Sequence, residues 1–199
     1  MRRSISSLNR FIVTPEVSKH RVFAWLRANT IPNKNLIVFA RSDDVMFGIL
    51  HSRFHEVWSL RLGTSLEDRP RYTNSTVFET FPLPPGLAPS QSLGDPLDEG
   101  DYVVPPVEEA MLPTARNIAA CAARLNALRE SWLNPKEWVE RVSEIAADYP
   151  ERVVPKKEHV EEIQAEIRNR FSDARPGTPA RDHPCRARSR RARRAASGQ

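Results

Sequence analysis

The chain has 199 residues, of which 40% are apolar and 28% charged, so it is long enough to form one or two small domains with a buried core. It contains no run of the roughly 18 apolar residues that a membrane span requires, no apolar segment typical of a signal peptide near its first residue, and only two cysteines, Cys121 and Cys185. These features exclude a disulfide framework and a thiolate zinc site, and they predict a cytoplasmic protein without membrane contact.

The net charge of +5 is divided unevenly along the chain. Residues 1–81 carry 12 Lys and Arg against 7 Asp and Glu, residues 82–172 carry 10 against 16, and residues 173–199 carry 8 against 2. A basic segment attracts polyanions, whereas an acidic one repels them. Any nucleic-acid surface is therefore expected mainly in the first 81 residues.

The first 85 residues have the patterns of a mixed α+β domain. Runs rich in β-branched and aromatic residues predict strands at 10–14 and 36–40, with a less regular pattern at 22–26. Asp43 or Asp44 is then expected to cap a helix. Its apolar residues recur at helical spacing and are Val45, Phe47, Ile49, Leu50, Phe54, Val57, Trp58 and Leu62. We expect Phe54 and Trp58 to lie in the core.

Composition changes after this domain. Seven prolines between 82 and 106 disfavour helix and interior strand, so residues 86–106 are predicted to be a proline-rich linker that wraps or spaces. Residues 107–172 are predicted to be a short helical subdomain. The seam of its first helix has steps of 4 and 3 and comprises Val107, Met111, Thr114, Ile118, Cys121, Leu125, Leu128 and Trp132. Pro113 either kinks this helix or marks its start, and a second amphipathic pattern covers 160–171.

Residues 173–199 contain no aliphatic side chain larger than Ala except those of Arg and Pro, and we predict a disordered basic tail. The tail is interpreted either as a basic arm for phosphates or as the off-frame end of a GC-rich gene, and the abrupt change of composition favours the second.

Several kinds of catalytic site have no sequence support. No two glycines are closer than six residues, which excludes a Gly-x-Gly nucleotide loop and a P-loop. His51 and His55 are one helical turn apart, but no third metal ligand can be identified, so packing or contact with phosphates and bases is the preferred interpretation. We expect neither a catalytic residue nor a metal site in this chain.

Three segments carry a family resemblance. They are VTPEVSKHRVF at 13–23, FGILHSRFHEVWSLRLGTS at 47–65 and PRYTNSTVFETFP at 70–82. In order and spacing they resemble the target-recognition domain of MmeI-like, Type IIL/IIG restriction-modification adenine-specific DNA methyltransferases, which serve bacterial defence. The stretch ALRESWLNP at 127–135 resembles the segment that follows this domain, so the likeness covers roughly residues 10–165.

The resemblance implies a DNA sequence-recognition module of a site-specific adenine-N6 methyltransferase, with double-stranded DNA as its partner. S-adenosylmethionine is the cofactor implied for the full-length family, but the methyltransferase domain that precedes this region in the family is absent from the sequence. The chain therefore looks like a C-terminal fragment, a split-gene product or a separately encoded specificity piece. We expect it to be inactive in isolation, and a separately encoded methyltransferase subunit is a possible partner.

Side-chain chemistry supplies candidates for DNA contact within the matching segments. Cations suit phosphates, whereas short polar groups suit base edges. The candidates are Lys19, His20, Arg21, Ser52, Arg53, Arg71, Tyr72, Asn74 and Thr76. The alternative from a different class is a non-catalytic interaction fragment that docks on a partner protein through the helix at 107–132.

Overall fold

The computed structural model describes residues 2–66, 69–92, 94–143 and 151–165. The chain divides into two compact units, residues 1–154 and residues 155–199. The predicted tail at 173–199 lies outside the described residues, as do Ile167 and Phe171 of the second amphipathic pattern. No helix among the described residues is long and apolar enough to cross a membrane.

The first unit combines small antiparallel sheets with helices, which confirms the predicted α+β class. Its elements in chain order are α1 (Arg2–Ile5), β1 (Arg10–Pro15), β2 (Ala24–Arg27), β3 (Leu36–Phe39), α2 (Asp44–His51), α3 (Arg53–Leu62), β4 (Thr64–Leu66), β5 (Arg69–Arg71), a π-helical turn (Asn74–Phe78), β6 (Leu97–Asp98), β7 (Val103–Val104), a 3₁₀ turn (Glu109–Met111), α4 (Leu112–Leu133), β8 (Val139–Val142) and β9 (Arg152–Pro155, ending at the unit boundary). In the second unit the structure describes a 3₁₀ turn, Lys157–His159, followed by helical residues 160–165.

Strand β1 lies at the centre of a three-stranded sheet, with β2 and β3 antiparallel on its two sides. Both faces of β1 are buried, because Ile12 packs into the main core while Phe11 and Val13 pack against Ile5. The predicted strands at 10–14 and 36–40 are confirmed to within one residue. Strand β2 starts at Ala24, later than the predicted residue 22. The reason is that the backbone N–H of Phe23 donates to the His51 side chain rather than to the sheet.

The predicted helix over 45–62 is two helices. Asp43 caps α2 by accepting from the Met46 N–H at 2.8 Å, as expected. At Ser52 the backbone becomes extended, and the Ser52 hydroxyl accepts from the His55 N–H to start α3. Only His55 and Ser59 of α3 are buried, so Phe54 points outward with 83% of its surface exposed. Its expected place in the core was therefore wrong.

Helix α4 packs on α2 through small residues. Ala115, Ala119 and Ala122 are buried, and a Cβ added to Gly48 would lie only 2.9 Å from Ile118 Cγ2. Pro113 stands in the first turn of α4 and marks its start rather than a kink. The two helices approach closely, so α4 packs on α2 through alanines. The later residues of the predicted seam, Leu125, Leu128 and Trp132, are exposed.

The proline-rich segment packs within the first unit. Leu87 and Val104 are buried in a cluster with Val45 and the alanines of α4. The Val103 N–H also donates to the Asp44 carboxylate at 2.8 Å. Both predicted boundaries, 85/86 and 106/107, lie within residues 1–154. The division of these residues into a domain, a linker and a helical segment rests on composition and stays a prediction.

Candidate nucleic-acid interface

The segment that follows β1 lies alongside β5 and the residue after it. The Tyr72 N–H donates to the Glu16 carbonyl at 2.7 Å, and the Ser18 N–H donates to the Pro70 carbonyl at 3.2 Å. An antiparallel bridge joins Val17 to Arg71 between these two bonds. Backbone contacts therefore fix the loop that carries Lys19 and His20 beside the hairpin formed by β4 and β5.

Lys19 and His20 are exposed on this loop. The Ser18 hydroxyl donates to the His20 carbonyl at 2.8 Å, which holds the backbone of the loop in a compact turn. The loop thus presents a cation and an imidazole to solvent from a fixed base, an arrangement suited to contact with an anionic ligand.

Arg21 is turned back onto the protein. Its guanidinium donates to the Thr14 hydroxyl at 3.1 Å, to the Pro15 carbonyl and to the Pro70 carbonyl at 3.3 Å. It also lies 5.1 Å from the centre of the Tyr72 ring, and burial lowers the pKa of Arg21. Arg21 therefore ties the end of β1 to the hairpin, and a phosphate would have to compete with these internal bonds.

Tyr72 belongs to the core. Its ring is 1% exposed and meets Phe23 and Phe39 edge to face. His55 Nδ1 lies 3.0 Å from the Leu50 carbonyl, which can only accept, so His55 Nε2 accepts from the Tyr72 hydroxyl at 3.1 Å. Burial lowers the pKa of His55 to about 4 and raises that of Tyr72. The expectation that Tyr72 contacts DNA is not retained, because its ring and hydroxyl are both used inside the protein.

The second histidine is also engaged. His51 Nε2 accepts from the Phe23 N–H at 3.3 Å, while Nδ1 lies 3.1 Å from the Phe47 carbonyl. Burial lowers its pKa, so the neutral ring that these two bonds require is favoured. Within the described ranges no group of three or more His, Cys, Asp or Glu side chains could hold a metal ion. The two histidines act here as packing and hydrogen-bonding groups.

The junction between α2 and α3 carries two further candidates. Ser52 caps α3 with its hydroxyl, so this side chain has a structural role. The Arg53 side chain is 78% exposed and pairs with Glu56 one turn along the helix. Because His51 bonds to the backbone of Phe23, the junction lies beside the loop that contains Arg21. Arg53 is therefore an exposed cation at the first residue of α3.

The hairpin of β4 and β5 was not anticipated from the sequence. Thr64 pairs with Arg71 and Leu66 with Arg69, and all of β4 is exposed. A Cβ added to Gly63 would lie 2.5 Å from the Ser59 carbonyl oxygen and 2.7 Å from that of Arg71, so only glycine allows the hairpin to start against α3. Arg71 forms an ion pair with Glu16 at its base. Gly63, followed by two short runs separated by Glu67 and Asp68, was the signal that could have predicted this hairpin.

The turn after β5 is polar outside and apolar inside. Asn74, Ser75 and Thr76 are exposed, whereas Val77 is fully buried. The Glu79 N–H donates to the Asn74 carbonyl at 2.9 Å, and the Thr80 hydroxyl donates to the Thr76 carbonyl at 2.7 Å. The backbone of the turn is thus internally bonded, while the side chains of Asn74 and Thr76 face solvent next to the hairpin.

The structure therefore separates the predicted residues into two groups. Lys19, His20, Arg71, Asn74 and Thr76 carry exposed polar groups on the hairpin and its flanking loops, whereas Arg53 is exposed at the start of α3. Arg21, Ser52 and Tyr72 hold these segments together from within.

Part of the chain is similar to known proteins. Residues 2–85 match the family model described as MmeI, target recognition domain. Among solved structures, the chain is similar to that of the Type IIL restriction-modification enzyme MmeI in complex with DNA, with 26% identity and a TM-score of 0.38. The match covers 44% of this chain and 12% of that one. No curated protein sequence matches the chain.

Proposed function

We propose that residues 2–85, which form an MmeI-like target recognition domain, bind duplex DNA and read its sequence for a site-specific adenine-N6 DNA methyltransferase. The observation that carries this proposal is the joining of three polar segments, the loop at 16–20, the β4–β5 hairpin and the turn at 74–76, by backbone bonds on a fixed core.

The exposed cations supply the phosphate contacts. Within the described part of the chain, Lys19 lies exposed on its loop and Arg53 forms an ion pair with Glu56 of its own helix, so neither side chain joins separate elements of the fold. Arg71 is already ordered by Glu16, so it loses little conformational freedom when it binds. Contacts of this kind position a protein on duplex DNA and give binding its salt dependence.

The hairpin and the turn supply the base contacts. A two-stranded ribbon fits the major groove of B-DNA, which is about 12 Å wide. The β4–β5 hairpin is such a ribbon, and Thr64 and Ser65 present exposed hydroxyl groups on it. Asn74 lies on the neighbouring turn, and an amide can donate to and accept from an adenine edge at once. A rigid scaffold that displays short polar groups in this way is suited to discrimination between base pairs.

Methyl transfer is assigned to a domain outside this sequence. This assignment is supported by the sequence, in which the seven glycines are widely spaced and none belongs to a Gly-x-Gly motif of the kind that binds a nucleotide-like cofactor. The chain spans 12% of the length of the matched enzyme. The catalytic domain is therefore expected either in a longer polypeptide or in a separately encoded subunit.

Titration with duplex DNA at several salt concentrations tests the proposal. For the unmodified chain, log K should decrease linearly with log salt concentration. When Lys19 and Arg53 are both changed to Ala, we expect this dependence to become shallower by about two units of slope, since two phosphate contacts are lost. Lys136→Ala, an exposed cation after α4, is the matched control and should leave the slope unchanged. Salt-independent binding, or equal losses in the control, would refute a phosphate-contacting role for this surface.

A further inference from the structure

The outer half of α4 has an uncovered apolar stripe. Leu125, Leu128 and Trp132 are 45%, 59% and 74% exposed, at steps of three and four residues. Ile118 begins the same stripe but packs against α2 beside Gly48. The stripe is thus partly covered by α2 at Ile118 and open from Cys121 onward.

A groove lies where the covered and open parts meet. It has a volume of about 340 Å³ between α2 and α4. Its lining residues are Gly48, His51, Asn117, Ile118, Cys121, Ala122 and Leu125. Because Cys121 and Leu125 belong to both the groove and the stripe, the open surface continues directly from the interface between α2 and α4.

We propose that this surface binds an amphipathic helix of a partner protein, which continues along α4 beyond the end of α2. Apolar positions at alternating steps of three and four interlock with another helix of the same period, not with a strand. From Cys121 to Trp132 the open part of the stripe is about 17 Å long at 1.5 Å per residue, enough for about one and a half heptads. The groove receives one large aliphatic side chain of the partner, and Trp132 supplies an aromatic contact of the kind that dominates interface energies.

The charges beside the stripe specify acidic flanks on the partner helix. Arg124 is exposed next to Leu125, and within the part of the chain that the structure describes it has no ion pair. Its neighbours are engaged, since Arg129 donates to the Phe23 carbonyl at 2.7 Å and Glu130 accepts from Asn134 at 3.1 Å. A glutamate at the facing position of the partner pairs with Arg124. A parallel second copy would instead place Arg124 opposite Arg129, which disfavours self-association of that kind.

The proposal is tested with the full chain and a labelled synthetic helix of four heptads, with Leu at the core positions and Glu at the flanking positions. We expect this peptide to bind at least tenfold more tightly than a matched peptide with Lys flanks. The double change of Leu125→Ser and Leu128→Ser should weaken binding at least tenfold, whereas Leu97→Ser, at a comparably exposed leucine on β6, should not. Bound peptide should also slow alkylation of Cys121, which lies in the groove.

Arg124→Glu provides a variant that leaves the apolar stripe intact and should reverse the preference toward the Lys-flanked peptide. The proposal is overturned if the acidic peptide does not bind, if both peptides bind equally or if binding survives loss of the two leucines. It is also overturned if the two leucines are instead needed for dimerisation in sedimentation or for binding to lipid vesicles. DNA binding by these variants should match that of the unmodified chain, so this result is independent of the proposed recognition function.

Discussion

The hairpin region and the outer half of α4 present opposite kinds of surface. Around the hairpin, polar side chains face outward while Tyr72, His55 and Val77 are buried beneath them. The buried residues of α4 are alanines, and in its outer half the large apolar side chains Leu125, Leu128 and Trp132 face solvent. A polar surface on an aromatic base suits a hydrated polyanion, whereas an apolar stripe on an alanine face suits another protein. The two regions therefore differ in the consequences expected from the same kind of substitution.

The largest difference is expected from truncation of a big side chain in each region. Tyr72→Ala should lower the free energy of unfolding by about 3–5 kcal/mol, because it removes a fully buried ring. Tyr72→Phe should cost about 1–3 kcal/mol, since His55 Nε2 loses its hydrogen bond. Leu128→Ala on the exposed stripe should change stability by less than about 0.5 kcal/mol. Urea unfolding measures all three, and equal losses for Tyr72→Ala and Leu128→Ala would contradict the contrast.

Acid should destabilise the hairpin base through His55. The folded state holds the pKa of this imidazole at about 4, whereas its ordinary value is 6.5. Between these values the unfolded chain binds a proton that the folded chain does not, so stability is retained above pH 6.5 and is lost as the pH falls. The loss from this group amounts to about 3 kcal/mol by pH 4.

Chemical unfolding at a series of pH values measures this slope. Carboxylates titrate in the same range, so the informative quantity is the difference between the unmodified chain and His55→Gln. The variant should have the shallower dependence below pH 6.5. An identical slope in both proteins would show that the imidazole is not held neutral by the fold.

Substitution of one glycine in each region, Gly63 at the hairpin and Gly48 beneath α4, compares the two regions further. Gly63→Ala places a Cβ against two backbone carbonyl oxygens, which cannot rotate away, so the hairpin must shift. Gly48→Ala meets Ile118 and Ala122 on α4 instead. We expect each change to cost about 1–3 kcal/mol of stability through overpacking.

DNA binding distinguishes the two glycine variants. Gly63→Ala should weaken it, because the displaced hairpin carries part of the proposed reading surface, whereas Gly48→Ala should leave it unchanged under conditions where both proteins are folded. Equal DNA affinities for the two variants would show that the hairpin does not take part in DNA recognition.

Local patterns predicted the strands of the central sheet, and they gave Asp43 as one of two caps and Pro113 as either a kink or the start of α4, because each of these features depends on residues close in sequence. The break between α2 and α3 at Ser52 and the packing of α4 through alanines depend on which helices meet in the fold. Helical spacing of the large apolar residues predicted instead one continuous helix over 45–62 and a seam of large side chains on α4. The same limit applies to the site. Charge and polarity made Lys19, Asn74 and Tyr72 candidates alike, and only the fold shows that Tyr72 is buried whereas the other two are exposed.

The smallest effects are expected from single polar residues of the proposed interface, and they separate sequence reading from simple attraction to DNA. Asn74→Ala should change the preference among DNA sequences by about 1–3 kcal/mol, because an amide lost from a base edge affects some base pairs and not others. Lys19→Ala should weaken binding to all sequences alike and lower the salt slope by about one. Affinity selection from a random duplex library, followed by sequencing, measures both outcomes. Equal and sequence-independent losses in the two variants would show that Asn74 is part of the scaffold, and base reading would then rest with the hairpin.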